Sequence, residues 1–203
     1  MPDKDKVRSV LEPYHPRIRS VVERAWAEWR AVSAFRTKSK FSPLMYPRTV
    51  ANYVFDAIAR YAIAEFASDD RVHVRVEPQT VKFFFGGSVL GRFKKGDENK
   101  LGSNIETQAV IAFIEADGVL PGLPSETAKV EFIWLPNEIQ TQIDKVLVVA
   151  RDGDHLEWEY EIEPASGAEI IPLPTQPRPP TLPPDGHVFI KPKVTEPKKT
   201  ENE

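Results

Sequence analysis

Val72-His-Val-Arg-Val-Glu-Pro-Gln-Thr-Val-Lys-Phe-Phe-Phe-Gly-Gly-Ser-Val-Leu-Gly-Arg-Phe-Lys-Lys95 is where the chain changes its hydrophobic period. Val72, Val74 and Val76 alternate with Arg71, His73 and Arg75, the period-two pattern of a half-buried strand. Val81, Phe83 and Phe85 repeat it against Lys82 and Phe84. Gly86-Gly87 is a hairpin turn signal, because glycine reaches positive φ at little cost. Residues 88–94 are then expected to return as a third strand.

Upstream the period is helical. Pro16 suits a helix start, where its missing N–H would be unpaired in any case. Ile18, Val21, Val22, Ala25, Trp29 and Val32 follow helical spacing, and Trp26 widens the stripe. Residues 36–40 are expected as a polar connection. A second helix is expected from Pro47–Thr49 to residue 67, burying Val50, Val54, Ala57, Ile58, Tyr61 and Phe66. Downstream, Ser103 and Glu106 form a capping-box pattern opening a short helix to residue 116. Strands are expected over 128–135 and 143–150, followed by a tight turn at Arg151-Asp-Gly-Asp154. In the last strand Leu156, Trp158, Tyr160 and Ile162 alternate with His155, Glu157, Glu159 and Glu161. The class is therefore α+β: two N-terminal helices, a mostly antiparallel sheet of about six strands, and one short inserted helix. Residues 1–163 read as a single domain. Residues 164–203 hold 10 of the 19 prolines and read as an extended or disordered tail.

Composition narrows the function classes. The 203 residues include no cysteine, which removes disulfides, thiolate metal sites and cysteine nucleophiles. No run of about 18 apolar residues occurs, so no membrane-spanning helix is expected. The charged N-terminus lacks the apolar core of a secretory signal, and a cytoplasmic location with no membrane partner is expected. The net charge of −3 hides a division. Residues 1–103 carry 19 Lys+Arg against 12 Asp+Glu, whereas residues 104–163 carry 3 against 13. Two fields of opposite sign either neutralise each other or make charged binding surfaces.

No catalytic signature is present. His15, His73, His155 and His187 are far apart, and no H-E-x-x-H pattern occurs. Gly86-Gly-Ser-Val-Leu-Gly91 lacks the lysine and the following helix of a phosphate-binding loop. There is no G-x-S-x-G elbow. A metal-dependent nuclease would need a carboxylate and a lysine two residues apart on one strand. Here the stretch is Arg92-Phe-Lys-Lys95, and Glu77 is too far from Lys82. No catalytic residue, metal or cofactor is assigned, and a binding protein is expected rather than an enzyme. Two sets of residues qualify as surfaces. Arg36, Lys38, Lys40, Arg48, Arg92, Lys94 and Lys95 suit phosphate contacts, with Phe84 or Phe93 as stacking platforms where exposed. Glu157, Glu159 and Glu161 form a same-face carboxylate row suited to a basic protein partner. Another protein is the expected partner, with nucleic acid the alternative.

Trp26-Ala-Glu-Trp29, Arg48-Thr-Val-Ala-Asn52-Tyr-Val-Phe-Asp56, Arg92-Phe-Lys-Lys95, Ser103-Asn-Ile-Glu-Thr-Gln108 and Leu156-Glu-Trp-Glu-Tyr160 occur in that order. Together they resemble an uncharacterised family of bacterial mobile-element proteins. Its members are encoded beside helix-turn-helix regulators fused or paired with zinc metallopeptidases. The resemblance spans about residues 20–163 and departs from the family pattern at Gly96 and Glu106, where an apolar residue and a proline are usual. It implies a regulatory, toxin–antitoxin-like or phage-defence role through a protein partner, and it supplies no catalytic residues.

Overall fold

The computed structural model describes residues 2–77, 80–102, 108–115 and 122–164. The chain divides into two units, Met1–Gly167 and Ala168–Glu203, and all described residues belong to the first. The expected proline-rich tail, from residue 165 onward, lies outside the described residues.

Three helices precede the sheet. Helix α1, Lys4–Leu11, is capped by the Asp3 carboxylate, which accepts from the backbone N–H of Asp5 and Lys6 at 2.9 and 3.1 Å. It buries only Val7 and Leu11, too short a stripe to read as a helix from spacing. A 3₁₀ turn, Glu12–Tyr14, leads into α2, His15–Lys38. The expected polar connection at 36–40 is thus helical as far as Lys38, since Arg36, Thr37 and Lys38 continue the ladder without needing an apolar face. Helix α3, Pro47–Phe66, returns antiparallel to α2. Polar groups tie the pair together. The Tyr53 and Tyr61 hydroxyls donate to Glu28 at 2.7 and 2.8 Å, and Arg60 adds a contact at 2.8 Å. Arg17 bridges Glu65 and Asp69 at the other end.

The strands are β1 Val72–Glu77, β2 Thr80–Phe85, β3 Val89–Lys95, β4 Ala128–Pro136, β5 Ile143–Asp152 and β6 His155–Glu161. They lie side by side in sequence order. All neighbours are antiparallel except β3 and β4, which are parallel. A parallel pair needs a crossover, and the connection carries helix α4, Gln108–Ile114. The architecture is α+β with a mostly antiparallel sheet. The expected capping box at Ser103 and Glu106 lies outside the described residues.

Helices α2 and α3 cover one face of the sheet. Ile18, Val22 and Trp26 of α2, with Val54, Ile58 and Phe66 of α3, join Phe83, Phe85, Phe93, Phe132 and Trp134 in one core. Gly91 has a packing reason to be glycine. A Cβ there would lie 2.4 Å from the Phe132 ring. Gly86 and Gly87 close the β2–β3 hairpin with φ of 53° and 68°. The opposite face carries a smaller cluster of Leu101, Ile133, Leu147 and Val149. One expected alternation breaks here. A register shift between Ala150 and Arg151 pairs Leu156 with Arg151. Leu156 therefore packs with the smaller cluster instead of beside Trp158 and Tyr160.

Candidate functional site

The α2–α3 connection forms an end of the helical pair that the core does not cover. Between Glu28 and Asp56 the chain holds no carboxylate and five cations: Arg30, Arg36, Lys38, Lys40 and Arg48. Helix α2 stops in a Schellman arrangement. The Lys40 N–H donates to the Thr37 carbonyl at 3.1 Å, and the Phe41 N–H to the Arg36 carbonyl at 3.0 Å. Lys40 itself adopts φ of 56°, a left-handed conformation usually given to glycine. Phe41 then folds back, with its ring 6.3 Å from Phe35 and the Arg36 guanidinium 5.7 Å from its centroid. Arg48 lies over the Tyr46 ring at 4.8 Å.

These rings are not buried. Phe35 is 60% exposed, Phe41 55%, Tyr46 52% and Met45 81%. Of these four, Phe41 also lines a hollow of about 370 Å³, together with Trp29, Arg36, Pro43, Leu44 and Val50, among others. Arg36 and Lys38 occupy the last turn of α2, where positive charge offsets the helix dipole. Lys40 and Arg48 stand outside that turn, so the dipole does not account for them.

The seven expected cations do not form one surface. Arg36, Lys38, Lys40 and Arg48 gather at the α2–α3 end. Arg92 and Lys94 alternate with Phe93, so they project from the sheet face opposite the helices. Arg92 is only 2% exposed and is paired with Glu131, the strand-to-strand neighbour on β4. Its Nε and Nη2 both reach Glu131 Oε1, at 3.0 and 2.6 Å. The Phe113 ring of α4 covers the guanidinium at 4.1 Å. Arg151 approaches the other carboxylate oxygen at 3.5 Å. Burial lowers the Arg92 pKa, and Glu131 opposes the shift. Burial, then the Arg92 charge, also holds Lys94 below the ordinary lysine range. Lys95 is half-buried at the end of β3, opposite Trp134. Neither expected stacking platform is a free ring: Phe93 is in the core and Phe84 is half-buried.

Glu157, Glu159 and Glu161 are half-buried along β6, the last strand of the sheet. Glu159 is engaged by the Lys100 ammonium. A larger hollow of about 610 Å³ lies beside α4, with Asp97, Glu115, Arg151 and Asp154 in its lining. Its arginine is already held by Asp154 and by the Gly102 and Gly153 carbonyls. Among the described residues, no three His, Asp or Glu side chains gather as a metal site. His15 instead hydrogen-bonds the Tyr160 hydroxyl at 3.1 Å, and burial, then Arg8, lowers its pKa.

Sequence reasoning missed Phe35, Phe41, Met45 and Tyr46. The available signal was a segment without carboxylates in which aromatic residues stand among the cations. It also missed Glu131, a lone acid within the apolar run Val130-Glu-Phe-Ile-Trp134, whose burial demands a cationic partner. Comparison with protein-family models, curated proteins and solved structures finds no match for the chain.

Proposed function

We propose that the protein binds nucleic acid through the α2–α3 end, using Arg36, Lys38, Lys40 and Arg48 on phosphates. The observation that carries this reading is the stretch from Glu28 to Asp56, where cations and exposed rings occur together with no carboxylate. A polyanion is the partner that such a field attracts, and released counterions supply the affinity. Arg92 takes no part, because a buried arginine paired with Glu131 cannot reach a phosphate without breaking the core. Nucleic-acid binding also suits a regulatory or defence role on a mobile element.

Titrating a fluorescent oligonucleotide of about twenty nucleotides at rising salt tests the proposal. Four phosphate contacts give a slope of log K against log salt near −3 for a single strand or −4 for a duplex. Replacing Lys38 and Lys40 with alanine should reduce the slope by about half. Absence of binding at low salt, or binding indifferent to salt, would sink the reading.

A second reading is protein binding at β6. Its support is that β6 ends the sheet order with Glu157 and Glu161 along it. A stoichiometric protein captured after nuclease treatment, and lost on charge reversal at Glu157 and Glu161, would establish it.

A further inference from the structure

Resting on the nucleic-acid reading, we infer that the α2–α3 end takes a single strand, with an unpaired base seated on the rings beside the Trp29–Phe41 hollow. Phosphate attraction alone needs cations and no rings. Here Phe35, Phe41 and Tyr46 lie within twelve residues, each more than half exposed, with Met45 between the last two. Burying such side chains is favourable, so the exposure of four of them in one short connection marks a surface that is covered in use.

The kind of cover follows from the geometry. In a duplex the base faces are stacked inside, and only sugars, phosphates and base edges are presented. An unpaired base offers a free π-face, which aromatic rings accept whatever the base. Arg36 already lies over Phe41, and Arg48 over Tyr46. Each ring is therefore next to a cation, and one nucleotide can place its base on the ring and its phosphate on the guanidinium. The hollow of about 370 Å³ falls within the usual size of small-molecule sites. Its wall combines Trp29, Phe41 and Leu44 with the hydroxyl residues Ser33 and Ser42. That mixture holds an aromatic face and leaves polar groups for base edges. An acidic peptide would meet the cations but would leave the rings uncovered.

Four probes separate the possibilities: an oligothymidylate of about twenty nucleotides, a duplex of the same length, an abasic strand of that length, and phosphatidylserine vesicles. The oligothymidylate is expected to bind at least about tenfold tighter than the duplex or the abasic strand. Phe41→Ala and Tyr46→Ala are each expected to weaken it about tenfold. Both rings are largely exposed, so circular dichroism and the thermal midpoint should stay unchanged and show that the fold is intact. Duplex or abasic binding as tight as the oligothymidylate overturns this inference and leaves the phosphate reading standing. Binding of vesicles alone, or of no probe, overturns both.

Discussion

Lys40 and Arg92 are both cations on the sequence, and their surroundings give them opposite roles. Lys40 holds a positive φ that costs an L-residue about 1–2 kcal/mol, in a helix cap where glycine fits without strain. Nothing packs the fold into requiring a lysine there, since the side chain is exposed. Lys40→Gly should therefore leave stability unchanged or raise it by up to about 1 kcal/mol in urea unfolding. The same variant should weaken oligonucleotide binding severalfold. Equal binding by the variant would remove Lys40 from the interface. Arg92 is the reverse case. Removing it takes the cation at 2.6 Å away from Glu131, which is fully buried, and leaves Arg151 at 3.5 Å. Breaking a buried pair from one side costs about 3–5 kcal/mol, so Arg92→Met should lower the urea midpoint sharply. A stability change below about 1 kcal/mol would show that the pair is not what holds β3 to β4 on this face.

At the scale of elements, the antiparallel α2–α3 pair is the unit that presents the candidate interface. Its apolar stripe faces the sheet, and Glu28 ties α2 to α3 through Tyr53, Arg60 and Tyr61. Burial on its own would raise the Glu28 pKa. The hydrogen bonds from Tyr53, Tyr61 and Arg60 outweigh that and hold the carboxyl below its ordinary value. A carboxyl lowered in the folded state contributes stability that is present above its unfolded pKa. That contribution disappears as pH falls through the folded pKa. The wild-type protein should thus lose stability on acidification below about pH 4.5, and Glu28→Gln should flatten part of that loss. Parallel pH curves for the two proteins in thermal unfolding would contradict this. Tyr53 and Tyr61 both have raised pKa values: for Tyr53 the Glu28 hydrogen bond is the main cause, and for Tyr61 it is burial, followed by the Glu28 hydrogen bond. Neither group changes charge in this acid window, so the expected effect belongs to Glu28.

At the scale of the molecule, the basic and acidic stretches of the chain meet inside the fold only in part. Arg92 pairs with Glu131 and Lys100 with Glu159, so two cations of the basic stretch are held by carboxylates of the acidic stretch, while Lys82 pairs with Glu77 of its own stretch. Among the described residues, Arg36, Lys38, Lys40 and Arg48 of the α2–α3 end form no ion pair with a carboxylate. Charge on the sheet therefore serves cohesion, and charge on the helical end faces water. Salt separates the two functions. It screens exposed charges within about 10 Å at 0.1 M and acts much less on buried pairs. Salt that strips oligonucleotide from the helical end should for this reason leave the fold intact. No described helix is long and apolar enough to cross a membrane, in keeping with the composition.

Local chemistry was enough to set out most of the fold. The phenylalanine alternation of β2, the glycine pair and the proline at 47 each act over a few residues and lie where the sequence places them, whereas the valine alternation of β1 stops short at Val76, which is 66% exposed. Helix α1 was not legible, because a stripe of only Val7 and Leu11 carries too little periodicity to be recognised. The sequence also determined that the chain between Glu28 and Asp56 has cations and no carboxylate of its own. Which cations remain outside was decided only by tertiary structure. Arg92 and Lys94 look like Lys38 and Lys40 in a string of letters. The parallel pairing of β3 with β4 sets Arg92 against Glu131, 39 residues away, and the two bury one another. Leu156 changes face for a similar reason, through one register shift in the pairing of β6 with β5. Pairing register is a long-range property, because side chains alternate strictly along a strand while the partner strand fixes what each one meets.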